Sequence, residues 1–238
     1  MLKIIKNHEN FKTEIDWLTS FHHFSFGEHY HPDKTNFGPL LVFNDDLIQP
    51  GKGFGFHQHH DMEIVTYVTD GTLEHKDNFG NNGIIESGEV QRMSAGTGIL
   101  HSEYNHSSNT NLHLLQIWIM PNQKDLKPSW EQHKFSKEER LNNLLCVVSP
   151  RSDGSSLSIH QDVSFYVSRL ENSKVSHDFT ENRTGYLFVI SGKLQINDIE
   201  LEAKDSVEIQ DERSITLKSS GSSEIMLLDL PASYKSIR

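Results

Sequence analysis

The sequence predicts an all-β protein built from two β-barrel units. Three observations carry this reading. Short apolar, β-branched runs are punctuated by Gly, Asn, Asp or Ser turns about every 8–12 residues, as in sandwiches and barrels. Helical stretches are few and short. Two segments also share one outline: EIVTYVTDGTLEHKD at 63–77 and GYLFVISGKLQINDI at 185–199 each read as strand, Gly-containing turn and strand.

Taken in order, the chain opens with a short helix candidate at Ile15–Phe21. EIVTYVTDG is β-branched and aromatic and ends in Asp70-Gly71, so it reads as a strand into a turn. TLEHKDNFGNNGIIESGE follows with turn signals at Asn78–Gly83 and Ser87-Gly88, then VQRMSAGTGILHSEYN, then LHLLQIWIMP closed by Pro121. The polar stretch Lys124–Leu145 carries a second helix candidate, Lys137–Leu145, and reads as a connector. LSIHQDVSFYVSRL, GYLFVISGKLQIN, DIELEAKDSVEIQDE, SITLKSS and EIMLLDLP are the strands of the second half. The expected organisation is a barrel over 1–123, a connector over 124–145 and a second barrel over 146–238.

Composition narrows the function. A chain of 238 residues has room for one large or two ordinary domains. No apolar run reaches the ~18 residues of a membrane-spanning helix. The opening MLKIIKNHENFKTEIDW lacks the apolar stretch and small-residue cleavage site of a signal peptide. Cys146, the single cysteine, suits a reducing compartment, and the cytoplasm is expected. Net charge is −11 and the basic residues are scattered, so direct nucleic-acid binding is not expected. A monomer is the default.

The 15 histidines make roughly one His-x-His pair expected by chance. His29-Tyr30-His31 runs into Pro32 and reads as loop. His57-Gln58-His59 precedes a strand-like run, and in a strand its two histidines leave the same face. His101 and Glu103, in GILHSEYN, have the same spacing. Two such strands could converge on one transition-metal ion. They could equally be polar turns that hydrogen-bond locally, and spacing alone leaves both readings open.

Longer motifs add a resemblance. Gly51, His57-x-His59 and Glu63 resemble the first cupin motif. Gly88, Gly96, His101 and Asn105 resemble the second, with Ser94 in place of its usual proline and two extra residues before the histidine. GFGFHQHHDMEIVTYVTDGTLEHKDNFGN and GEVQRMSAGTGILHSEYN are similar to the signature blocks of the pirin family. So are HFSFG at 23–27, FGPLLVFNDD at 37–46, HLLQIWIMP at 113–121 and the closing LLDLP. Within that family the resemblance points to bacterial pirin-like quercetin 2,3-dioxygenases.

The resemblance implies a bicupin: two jelly-roll-like barrels with a few short helices, and one metal in the N-terminal barrel. The implied ligands are His57, His59, His101 and Glu103. Fe(II) is the expected ion, with Ni, Co, Mn, Cu and Zn as alternatives. Glu63 fits the general cupin carboxylate, but it lies four residues from His59, about 13 Å along a straight strand. Glu103 is only one pleat from His101. The second barrel has no His-x-His, and its histidines, His160 and His177, are far apart, so it is expected to be metal-free.

The implied activity is opening of a flavonol such as quercetin by O2 with release of carbon monoxide, Glu103 acting as base. Two rivals share these ligands: an enzyme on another small enediol or aromatic, and a metal-dependent, redox-sensitive regulator of transcription or metabolic protein partners. Two departures stand out. Gln58 replaces the family's usual proline and His60 its usual Arg or Lys, both on the face away from the implied ligands.

Overall fold

A computed structural model describes residues 1–152 and 154–237. The chain folds as two compact all-β units, each a pair of antiparallel sheets. No α-helix occurs among the described residues, only the 3-10 turn Asn7–Glu9.

In the N-terminal unit the large sheet has seven strands. Their order is Ser129–Lys134, Glu89–Ser94, Glu63–Asp70, Leu112–Ile119, Leu40–Ile48, Leu18–His22 and Phe11–Ile15. The small sheet runs Gly53–His59, Ile99–Asn105, Thr72–Asp77, Asn82–Glu86. Apolar side chains from both sheets close one end of the barrel: Leu18, Ile48, Val68, Leu112 and Leu114 meet Leu73 and Ile85. Strands such as Leu40–Ile48 and Glu63–Asp70 are covered on both faces. They read as near-continuous buried runs, not as alternating ones.

The C-terminal unit repeats the plan. Its small sheet runs Lys174–Asp178, Ser214–Lys218, Lys193–Ile196, Ile199–Glu202. Its large sheet contains, in order, Leu2–Ile5, Ser206–Ile209, Arg183–Ser191, Ser222–Pro231, Ser164–Glu171 and Leu145–Ser149. Leu2–Ile5 therefore takes the edge position that Ser129–Lys134 holds in the first unit, pairing Leu2 with Ile209 and Ile5 with Ser206. The interior is filled by a wholly apolar cluster that includes Leu187, Val189, Leu194, Ile196, Ile215, Leu217 and Leu227.

These facts move the expected boundaries. Residues 1–9 group with the C-terminal unit, because their strand is hydrogen-bonded there. Within the supposed connector, Ser129–Lys134 is a strand paired register by register with Glu89–Ser94. Residues 157–161 group with the N-terminal unit.

Neither expected helix forms. Ile15–Phe21 spans a hairpin turn at Asp16-Trp17, after which Leu18, Ser20 and His22 alternate inward as a strand. Trp17 packs edge-on against Phe54, ring centroids 5.2 Å apart. At Lys137–Leu145, Ser136 and Glu139 do make the reciprocal bonds of a capping box, at 2.8 and 3.2 Å. Asn142 then adopts φ 54° and its N–H donates to the Arg169 carbonyl, ending the turn before a helix can propagate.

The close approach of two small-sheet strands depends on Gly53. A Cβ there would lie 2.2 Å from the Glu103 carbonyl oxygen and 2.5 Å from Tyr104 Cα. Both are backbone atoms that cannot swing aside. Gly53→Ala is expected to lower unfolding free energy by about 1–3 kcal/mol, measured by urea denaturation. An unchanged midpoint would mean the strands separate without cost.

Candidate metal centre

The register of the small sheet places the implied ligands on its inner face. Opposite residues of an antiparallel pair share a face, and His101 lies opposite His57. The register then slips: Glu103 lies opposite Phe54, so Gly55 and Phe56 form a bulge facing Ser102. The bulge keeps His57 and His59 beside His101 while turning Phe54 inward next to Glu103. It also presents the Gly55 carbonyl to its own histidine, and His57 Nδ1–H donates to that oxygen at 2.8 Å. A carbonyl only accepts, so the His57 proton is fixed on Nδ1 and Nε2 is left with a free lone pair.

Three imidazoles converge. Ring centroids are 4.4 Å apart for His57–His101, 4.8 Å for His57–His59 and 5.0 Å for His59–His101. One nitrogen from each lies within 4.8 Å of the others. Burial, then the neighbouring His101 and His57, push His59 down to about 4; burial, then His57 and His75, push His101 down to about 3. His59 and His101 are therefore poised to offer neutral nitrogen near pH 7. His101 Nε2 is buried and has no hydrogen-bond partner. An orphaned nitrogen inside a cluster of three imidazoles is a donor set suited to a late transition-metal ion.

Glu103 is buried beside this cluster, and its carboxylate groups within 4.8 Å with donors of His101 and His75. The large sheet holds it. Gln91 Nε2 donates to Oε1 at 2.5 Å and Gln116 Nε2 to Oε2 at 2.7 Å. These amides belong to a polar row across the inner face of that sheet, in which Gln91, Thr66, Gln116, Asn44 and His22 are successive lateral neighbours. Gln91 also donates to Thr66 Oγ1 at 3.1 Å and accepts from Trp130 Nε1 at 2.8 Å. A carboxylate has about four acceptor sites, so each oxygen keeps one free.

The sequence reading missed His75 and Asp77. His75 lies opposite Glu103 and Asp77 opposite His101. His75 is fully buried, stacks on Trp130 at 5.1 Å, brings Nδ1 to 3.5 Å from His101 Nδ1 and sets Nε2 3.5 Å from Asp77. Their spacing, His-x-Asp on a strand, is the signal that marked His101 and Glu103.

Glu63 points to the other face of its strand, away from this cluster. There it is fully buried and its Oε1 is 3.4 Å from His160 Nδ1. It anchors the segment 157–161, so His160 sits in the N-terminal unit and not in the second barrel, as the sequence had suggested. His60 is half exposed and 3.1 Å from Asp61, outside the imidazole cluster. Gln58 pairs opposite Leu100, likewise outside the cluster.

Within the N-terminal unit a cavity of about 260 Å³ opens beside the imidazoles. Leu18, Phe26, Phe54 and Trp118 supply its apolar wall; His57, His59, Glu103, Gln116, Ser20, His22, Asn44 and Asp46 its polar one.

In the second unit the corresponding small-sheet strands carry Val175 and His177 opposite Leu217 and Ile215. Aliphatic side chains there fill the space that His101 and Glu103 occupy in the first.

A cupin-type histidine–carboxylate cluster inside one of two like barrels is the arrangement of a known family, and comparison with it is direct. Residues 5–119 match the model of the Pirin family and residues 146–230 that of the quercetinase C-terminal cupin domain. A protein of Escherichia coli strain K12 named quercetin 2,3-dioxygenase is 41% identical over 97% of this chain and 99% of its own. The chain belongs to the pirin family. A pirin-like protein of Caulobacter vibrioides is 40% identical over 90% of this chain and 92% of its own. Two crystal structures of the bacterial pirin YhhW from Escherichia coli superpose with TM-scores of 0.93 and 0.92 at 41% identity. They cover 99% and 97% of this chain and 100% and 99% of their own; the second holds nickel(II). A quercetin 2,3-dioxygenase from Acinetobacter baumannii, 21% identical, shares the fold with a TM-score of 0.78 over 97% of this chain and 86% of its own.

Asp46 gives a pH signature. Burial first, then the charges of Asp45 and Glu103, raise its carboxyl to about 7, against the opposing Ser20 hydrogen bond and His113. A carboxyl raised on folding stabilises fully below its unfolded value and loses that contribution as pH climbs through the folded value. Asp46→Asn stays neutral throughout. In metal-free protein its stability relative to the natural chain is expected to rise between about pH 4 and 7, by roughly 1 kcal/mol per pH unit. Urea unfolding at stepped pH reads this. A flat difference would mean Asp46 is already ionised.

Proposed function

We propose that this pirin-family chain is a metal-dependent dioxygenase that opens the heterocyclic ring of a flavonol with O2 and releases carbon monoxide. His57, His59, His101 and Glu103 hold one divalent ion. The supporting observation is the convergence of three imidazoles and a buried carboxylate, of which His57, His59 and Glu103 line a cavity that also has aromatic walls. The quercetin dioxygenase names of its relatives point the same way. When bound, the ion supplies Lewis-acid polarisation of a substrate oxygen and an electron path to O2. The nitrogen-rich set suits Fe(II) and, higher in the affinity order, Ni(II), the ion in the YhhW complex.

The chain's own residues do the rest. Phe54, Phe26 and Trp118 flank a planar ring and keep water from its face. Glu103 takes the proton of the substrate hydroxyl on a free lone pair, while Gln91 and Gln116 fix the carboxylate plane. His75 and Asp77 steady His101 from behind.

Elemental analysis tests the ligands. One ion per chain is expected, lost in His57→Ala, His59→Ala or His101→Ala and kept in Glu63→Ala and His177→Ala. Loss of metal in the His177 variant alone would move the site to the second barrel.

Glu103→Gln separates ligand from base. With metal in excess it is expected to load through the histidines yet turn over quercetin ~10²–10⁴-fold more slowly, the usual cost of losing a general base. A loaded variant with the natural rate would remove Glu103 from proton transfer. Metal binding without turnover of any flavonol would instead favour a regulatory, non-catalytic role.

A further inference from the structure

Asp46 is a buried carboxyl that the proposed chemistry does not use. It is only 2% exposed, yet it lines the cavity shared with Glu103, His57 and His59. Its Oδ1 accepts the Ser20 hydroxyl from the neighbouring strand, and its Oδ2 has no hydrogen-bond partner among the described residues. Among the described residues no Lys or Arg pairs with it. The nearby charges are Asp45, Glu103 and His113, and the His113 ring is bonded to Asp45.

The wall behind it is fixed. His22 Nδ1 is shared between Asn44 Oδ1 at 2.9 Å and Ser20 Oγ at 3.3 Å, and His22 Nε2 meets Thr13 Oγ1 at 2.9 Å. A carboxyl without a cation in such a place is costly, and nothing in the wall requires an acid. Ser20 would be satisfied as well by an amide oxygen.

We propose that Asp46 is a specificity-determining residue, whose Oδ2 meets a second substrate oxygen lying away from the hydroxyl that Glu103 deprotonates. The cavity then selects polyhydroxylated aromatics over analogues that lack the second oxygen. Beside its place in the cavity wall, Asp46 has a carboxyl raised to about 7, so near neutral pH a substantial protonated population offers O–H to a carbonyl or phenol oxygen. The inference rests on the flavonol reading for the kind of molecule bound, but not on turnover.

The test is binding under nitrogen to nickel-loaded protein, followed by flavonol absorbance. Quercetin and 3-hydroxyflavone share the 3-hydroxy-4-carbonyl group and differ in their other ring hydroxyls. The natural chain is expected to prefer quercetin by ~10-fold or more, the scale of one or two buried hydrogen bonds. Asp46→Ala should lose most of that preference through weaker quercetin binding, with 3-hydroxyflavone little changed. Asp46→Asn, whose Nδ2 still donates, should keep it. Asp46→Val, suited to a strand, repeats the measurement if the alanine chain does not fold. Equal preference in the natural, Ala and Val chains overturns the proposal and leaves the flavonol reading intact. A preference that depends on Asp46, with no O2 consumption by either the nickel-loaded or the Fe(II)-loaded protein when air is admitted, supports the proposal and overturns the dioxygenase reading.

Discussion

A carboxylate in the middle of a β-barrel needs hydrogen-bond donors, and the N-terminal unit is organised around bringing one to each oxygen of Glu103. Moving an isolated ionised carboxylate from water into an apolar interior is prohibitive, so a buried charge survives only with donors or cations around it. The two amides that reach it come from the opposite sheet, one from each of two strands separated by a third. They tie the sheets together at one level of the barrel. Above an apolar floor of leucines and isoleucines, this layer is polar across its width, and the imidazoles stand at its rim. The layer is where a cation would be welcome: imidazole nitrogens beside the Glu103 carboxylate, with no Lys or Arg among the described residues that line the cavity.

The two barrels show how little separates a metal site from a packed core. Their small sheets have the same strand order, and both alternate one face inward. In the first, the inward positions are His57, His101, Glu103 and His75; in the second, aliphatic residues such as Leu217, Ile215 and Ile196 take the same strands. Filling the second barrel with apolar groups brings it transfer free energy and removes any need for a polar row. Conversely, the first barrel gives up part of its core for a cavity.

Much of this was legible in the sequence, and what was not has physical reasons. His57, His59, His101 and Glu103 were visible because a period of two puts them on one face whatever the strand pairs with. All-β architecture was visible from turn punctuation. Gln91, Gln116 and Asp46 were not: Gln91 and Asp46 lie among other polar residues in strands buried on both faces, where burial cannot be read from alternation, and Gln116 has no polar partner at a spacing of two in its own strand. His75 carried a legible spacing that was overlooked among ordinary strand polars. The helix readings failed where Trp17 and the Ser136–Glu139 box mimic helix signals locally, while tertiary strand pairing and Asn142 decide otherwise. Domain limits failed for a deeper reason. Which sheet a terminal strand joins depends on partners distant in the chain.

That last point bears on how the molecule is made. Leu2–Ile5 is synthesised well before its hydrogen-bonding partner Ser206–Ile209, about 200 residues downstream: Lys3 and Glu208, which also form an ion pair, are 205 positions apart. At ~5–20 residues per second that segment waits on the order of 10–40 s for its sheet. Meanwhile the N-terminal barrel, most of whose strands lie between 11 and 134, can close behind it. The second barrel's edge is thus sealed by a segment made some 200 residues earlier, and until it docks Ser206–Ile209 is an open β-edge able to recruit another molecule. Residues added ahead of Met1, whose ammonium pairs with Glu212, would sit at that seam.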